Sequence, residues 1–257
     1  MNLFDLSGRT ALVTGGAQGL GRMMAEGLLK AGAKVVITSR KQALADQAAE
    51  DMASLGSCTA MTADFSSVDE AVNFAGRFAS SVGQCDILIN NAGKSWGAPI
   101  ENFPDRAWPD IMSINVQIPF TLVRELLPLL KAGASPETPS RIINIGSVAG
   151  AKVERLSAYS YTSSKAAIHM LTRELAADLA ADNITVNALV PGYFPTKMTA
   201  HMRNDAEVDP AALARIPLRR FGSPDDIAGG VIFLCSRAGA YVTGSQLHMD
   251  GGMIGCA

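Results

Sequence analysis

Short runs of apolar and β-branched residues recur along the chain, and each is followed by a longer stretch whose apolar positions return with helical spacing. The runs are Thr10–Thr14, Lys34–Thr38, Thr59–Ala63, Ile87–Asn90, Arg141–Ile145, Thr185–Val190 and Gln246–Met249. They lack strict alternation, which is the pattern of strands covered on both faces. The helical stretches are Gly21–Ala31, Ala43–Leu55, Val68–Val82, Trp108–Lys131, Tyr161–Ala181 and Asp225–Cys235. Strand and helix alternate throughout, so the pattern predicts one α/β domain over residues 1–257: a Rossmann-like, doubly wound parallel sheet of about seven strands with helices on both faces. Ala132–Ser140, with two prolines, reads as a surface loop too short to divide domains. Gly192–Pro210 breaks the rhythm just after a strand's carboxyl end, where open parallel sheets bind ligands, and is expected to be a substrate lid.

Composition changes this picture little. A chain of 257 residues, 48% hydrophobic and 18% charged, can bury a core without metals or disulfides. A net charge of -2 gives no basic face for nucleic acid. No apolar run is long enough to cross a bilayer, and Met1–Gly8 carries no basic segment followed by an apolar one, so a cytoplasmic location is expected. Cys58, Cys85, Cys235 and Cys256, like His169, His201 and His248, are scattered without ligand spacing, and no metal is expected.

Chemistry enters with the loop after the first strand, Thr14-Gly15-Gly16-Ala17-Gln18-Gly19-Leu20-Gly21, which runs straight into a helix. Glycines there allow a sharp turn and close approach to a pyrophosphate, and the helix's free N–H groups favour its charge. The spacing differs from GxGxxG, so its position between strand and helix carries the dinucleotide reading. The second strand ends Ile37-Thr38-Ser39-Arg40-Lys41, where NAD-binding folds place an acidic residue on the ribose. A guanidinium instead pairs with a 2′-phosphate, worth about 1.5 to 3 kcal/mol, and NADP(H) is expected.

Tyr161 and Lys165 lie four residues apart in a helical stretch, so they share a face. A phenol with a pKa near 10 is an available acid at neutral pH but a poor base. Lowering it by about three units takes about 4 kcal/mol, the order of attraction between charges about 4 Å apart at an effective dielectric of about 20. Tyr159 has no such partner, because Ser163 follows it at that spacing.

With Thr14 to Gly21, Asn90-Asn91-Ala92-Gly93, Asn115, Ser147, Tyr161-Thr162-Ser163-Ser164-Lys165, Pro191-Gly192 and Asp250-Gly251-Gly252 in this order, the chain resembles the short-chain dehydrogenase/reductase family over essentially its full length. The resemblance implies that Ser147 holds a substrate oxygen and that Tyr161 exchanges a proton with it. By the same resemblance Lys165 binds the nicotinamide ribose and lowers the tyrosine pKa, and Asn115 anchors a water-linked proton relay. The implied cofactor contacts are Gly15, Gln18, Gly19, Leu20, Gly21, Ser39, Arg40, Asp64 at the adenine, Phe65, Asn91, Ala92, Gly93, Tyr161, Lys165, Pro191, Gly192 and Thr196.

Fold and catalytic set imply hydride transfer without choosing the carbonyl. Trp96, Tyr193, Phe194, Met198 and Met202 are expected near the pocket as apolar contacts. Lys197, His201 and Arg203 add positive charge for a phosphopantetheine or carboxylate, with Asp205, Glu207 and Asp209 close behind. Asn90 to Ala98, Ile142 to Gly150 and Pro191 to His201 are most similar to β-ketoacyl reductases, particularly the branch linked to rhamnolipid synthesis, which implies NADPH-dependent reduction of a 3-oxoacyl thioester. The alternatives are a sugar or polyol dehydrogenase, another small-ketone reductase, or a non-catalytic NADP(H)-binding regulator. The C-terminal segment Tyr241 to Ala257 resembles the family's subunit-contact region, and a homotetramer is expected.

Overall fold

The computed structural model describes residues 2–204 and 207–256. Seven strands form one parallel sheet: β1 (Thr10–Val13), β2 (Lys34–Ser39), β3 (Cys58–Thr62), β4 (Ile87–Asn90), β5 (Ser140–Ile145), β6 (Ile184–Pro191) and, last in the chain, β9 (Gln246–Met249). Between β6 and β9 the two-residue strands β7 (Arg203–Asn204) and β8 (Glu207–Val208) make a separate antiparallel pair. The order across the main sheet is β3-β2-β1-β4-β5-β6-β9. The winding therefore reverses between β1 and β4, whose registers align Leu12 with Leu88 and Val13 with Ile89.

Helices α1 (Gly19–Lys30), α2 (Gln42–Met52) and α8 (Pro224–Cys235) lie with one buried cluster, in which Met24, Leu28, Ile227, Val231 and Leu234 pack on Val13, Ile37 and Ile89. Helices α3 (Val68–Val82), α5 (Ile118–Ala132) and α6 (Tyr159–Leu179) belong to the other, where Phe74, Phe78, Leu122, Leu126 and Leu175 meet Leu12, Leu88, Ile142 and Val186. Neighbouring strand residues divide between the two clusters, as the pleat requires. Local chemistry sets the helix ends: the Ser67 hydroxyl accepts the Glu70 N–H at 3.2 Å to open α3, and Ser223 with Asp226 forms a capping box at α8.

Three expectations change. The edge strands β3 and β9 are only partly covered, because each has a neighbour on one side alone. Tyr161–Ala181 begins two residues earlier, at Tyr159. The stretch Trp108–Lys131 is not one helix but α4 (Ala107–Met112), a π-helical turn Ser113–Gln117, and α5. Pro119 supplies no N–H to the carbonyl four residues back, on Asn115, and the helix widens there.

Candidate active site

Loops from the carboxyl ends of β1 and β4 meet where the winding reverses. The Thr14 hydroxyl donates to the Ile89 carbonyl at 3.2 Å and accepts the Asn91 and Ala92 N–H groups, both at 2.9 Å. Asn91 Nδ2 returns to the Thr14 carbonyl at 2.8 Å, and the Gly15 N–H reaches Thr38 Oγ1 at 3.0 Å. Gly15 and Gly19 have φ of 64° and 56°, a region that L side chains rarely adopt. A Cβ on Gly21 would overlap the Gly15 carbonyl. The Gln18 side chain does not cap α1, so the first-turn N–H groups at Gly19, Leu20 and Gly21 remain available to an anion. This narrow cradle at a long helix's positive end fits a dinucleotide pyrophosphate.

At the far side of that cradle, Ser39 ends β2 and Arg40 is exposed, with no ion pair among the described residues. Asp64 is exposed just beyond β3. Phe65 next to it turns its ring into the core, edge-on to Phe74 at 5.3 Å, so only its backbone faces outward to a nucleotide.

Helix α6 presents Tyr161, Lys165 and His169 at successive turns. Its rotation is set by a buried chain of amides and a hydroxyl: Asn90 Nδ2 donates to Asn144 Oδ1 at 2.9 Å, and Asn144 Nδ2 donates to Thr172 Oγ1 at 3.0 Å. Beside it Gly146 lets the His169 imidazole approach β5, since a Cβ there would overlap Nε2. His169 Nε2 accepts the Ser147 N–H at 3.4 Å. Burial and the neighbouring Lys165 push its pKa down to about 4, which leaves the imidazole neutral and able to accept. Reading the histidines as scattered missed this contact, although the spacing from Tyr161 and Lys165 already placed His169 on their face.

Ser147 stands at the end of β5, its hydroxyl accepting the Ala149 N–H at 3.2 Å and near enough to the Tyr161 phenol to lower its pKa. Tyr161 keeps part of its surface open, yet burial pushes its phenol above the ordinary value, and the smaller effect of Ser147 acts in the opposite direction. Lys165 Nζ donates to the Ile145 carbonyl at 2.7 Å and sits 5.7 Å from the Tyr161 ring centre. Burial brings its ammonium down to about 8. Asn115, in the π-helical turn, donates to Ser164 Oγ at 2.9 Å and to the Lys94 carbonyl at 3.0 Å. Ser164 Oγ donates to the Tyr161 carbonyl at 2.7 Å, so Asn115 is joined to the catalytic helix. Gly93 lies against Asn115 Oδ1. Tyr159, by contrast, points at Phe103, with ring centres 5.1 Å apart.

Pro191 ends β6, and the Gly192 N–H bonds the Met249 carbonyl at 3.0 Å. Thr196 comes back to the glycine loop, its Cγ2 3.7 Å from where a Cβ on Gly19 would stand. Of the expected apolar contacts, Trp96 and Met198 stay exposed and Met202 is partly buried, but Tyr193 and Phe194 are core residues. Asp205 and the side chains of His201, Arg203 and Glu207 lie outside the described residues, as do Met1 and Ala257.

Comparisons with known proteins agree with this arrangement. A family model described as Enoyl-(Acyl carrier protein) reductase matches residues 15–254. The rhamnolipids biosynthesis 3-oxoacyl-[acyl-carrier-protein] reductase of Pseudomonas aeruginosa is 45% identical over 249 residues, covering 97% of each chain. The solved Pseudomonas aeruginosa RhlG/NADP active-site complex is 46% identical and matches with a TM-score of 0.94 over 98% of this chain and 99% of that one. The chain belongs to the short-chain dehydrogenase/reductase family. Another relative of this short-chain dehydrogenase/reductase, the gluconate 5-dehydrogenase of Gluconobacter oxydans, is 35% identical over 258 residues, 98% of this chain and 97% of that protein. The chain is accordingly an oxidoreductase, and the crevice between β1 and β4 is where its family's chemistry falls.

Proposed function

We propose that this short-chain dehydrogenase/reductase uses NADPH to reduce a 3-oxoacyl thioester to the 3-hydroxy product. The observation that carries the reaction type is the meeting of Tyr161, Ser147 and Lys165 beside the switch-point crevice. Bound NADPH supplies the hydride. Gly15, Gln18, Gly19, Leu20 and Gly21 would hold its pyrophosphate, Ser39 and Arg40 its 2′-phosphate, and Asp64 with the Phe65 backbone its adenine. Asn91, Ala92, Gly93, Pro191, Gly192 and Thr196 line the remainder. Lys165 would exchange its Ile145 carbonyl partner for ribose hydroxyls.

Ser147 holds the carbonyl oxygen and Tyr161 gives it a proton. A phenol, protonated at neutral pH, is available as that donor. Asn115 then anchors the water-linked chain that reprotonates Tyr161 through Lys165. The thioester is favoured by the likeness to the Pseudomonas reductase, and residues 192–210 form the lid over it. A sugar or polyol substrate is the second reading, favoured by the gluconate dehydrogenase relative.

The assay sets acetoacetyl and longer 3-oxoacyl thioesters beside 5-ketogluconate, each with NADPH and NADH. Thioester turnover with NADPH is expected, and turnover of the keto-sugar alone would overturn the substrate. Tyr161→Phe should keep nucleotide affinity and lower turnover by about a hundred- to ten-thousand-fold, the worth of a positioned acid. Unchanged turnover would remove Tyr161 from the mechanism.

We also propose a cytoplasmic homotetramer. No helix among the described residues is long and apolar enough to cross a membrane. Pro109, Met112, Val116, Phe120 and Leu171 line an apolar groove spanning α4, α5 and α6, and exposed Trp108 and Met170 belong to the same helices.

A further inference from the structure

A buried carboxylate outside the proton-transfer set ties the root of the 192–210 segment to the turn that carries Ser147. Glu154, between Ser147 and Tyr161, is 8% exposed. Its Oε2 accepts the Tyr193 hydroxyl at 2.6 Å. Its Oε1 lies 3.6 Å from Lys152 Nζ, which donates to the Met253 carbonyl at 2.7 Å. The exposed Arg215, just after the short helix α7 (Pro210–Ala214), lies near enough to the Tyr193 phenol to favour its ionised form, against burial and Glu154. Tyr193 is 7% exposed and packs with Val148, Ile216 and Met253, its ring centre 5.7 Å from that of Phe221.

Two backbone segments are thereby joined. Val148 directly follows Ser147, and Tyr193 directly follows Pro191-Gly192, where the chain leaves β6. An apolar residue in place of Glu154 would fill this small core without the cost of burying a charge. What the carboxylate adds is direction, because a charge-assisted hydrogen bond accepts the phenol at one geometry. We propose that Glu154 is a positioning residue: by holding Tyr193 it sets how the chain leaves the sheet after Gly192, and so how closely the residues that directly follow approach the reacting carbonyl. This role rests on the crevice used for the proposed reduction but on no particular substrate.

The test compares Glu154→Gln, Glu154→Leu, Tyr193→Phe and the double variant Glu154→Leu/Tyr193→Phe in the full chain. Glu154→Gln keeps an oxygen for the Tyr193 hydroxyl, whereas Glu154→Leu keeps volume and loses the acceptor. Glu154→Leu and Tyr193→Phe should raise the KM for the carbonyl substrate and the rate of tryptic cleavage after Lys197 by about tenfold, the scale of one hydrogen bond to a charged group, with little change in kcat. Glu154→Gln should restore most of both, and the double variant should match either single one. A fall in thermal midpoint with KM and cleavage rate unchanged would reduce Glu154 to packing and overturn the proposal. So would equal effects of Glu154→Gln and Glu154→Leu. If Glu154→Leu does not fold, Tyr193→Phe, which removes one hydroxyl, decides alone. Cleavage after Lys197 needs no turnover, so a wrong substrate leaves this test intact.

Discussion

Lys165 is the residue most at odds with its surroundings: a primary amine, 7% exposed, whose hydrogen bond is to a backbone carbonyl. Burial lowers its pKa from 10.5 to about 8. Between those values the unfolded chain holds a proton that the folded chain has released, so this group makes stability rise with pH across that window and not below it. The gap of about 2.5 pH units corresponds to about 3 kcal/mol. Tyr161, Cys85 and Cys235, held protonated by burial, act in the opposite sense at high pH. The measurement is therefore the difference in stability between wild type and Lys165→Met. Wild type should gain on the variant from pH 8 to 10.5 and keep a constant offset below, and a flat difference would contradict the buried ammonium. Arg40 is legible from sequence at the end of β2, and in the structure it is exposed with no ion pair among the described residues. Arg40→Asp should move the kcat/KM ratio toward NADH by about ten- to a hundred-fold, the worth of one charge-assisted bond. An unaltered ratio would mean that another group reads the 2′-phosphate.

At the scale of elements, the contact between β5 and α6 decides the geometry of catalysis. Gly146 is the place where the His169 ring meets the strand, and the residue after it is Ser147. Gly146→Ala should push the ring or the strand end away, with an overpacking cost of about 1 to 3 kcal/mol and a loss of turnover. Adding His169→Ala should recover stability, and failure to recover it would show that the strain lies elsewhere. Strand positions and most helices were legible in the apolar pattern, since strands buried on both faces read as near-continuous apolar runs. The break at Ser113–Gln117 was not, because the apolar spacing continues through it. Pro119 was its visible trace. The Glu154 and Tyr193 pair left no trace, because 39 residues separate them and neither stands in a recognisable motif. Tyr193 and Phe194, read as pocket residues, are buried and line a cavity with Ile216, Leu218 and Asp250.

For the whole molecule, the apolar groove over α4, α5 and α6 is the surface on which the tetramer proposal depends. Phe120, 41% exposed, stands in it. Phe120→Glu should leave the monomer's fold intact, because the ring is outside the core, and shift sedimentation to a smaller species by burying a charge in the contact. A sedimentation profile like that of wild type would move the interface elsewhere. The sequence by itself determined the alternation of strands and helices, the phosphate-binding turn and the shared helix face of Tyr161 and Lys165, because periodicity and turn chemistry are local properties of a chain, whereas Ser147 was implied only by the family resemblance. Tertiary structure alone decided the protonation balance of these residues, the neutral His169 behind them and the carboxylate under residue 193. Burial and charge depend on which distant segments pack together, and no local pattern records that.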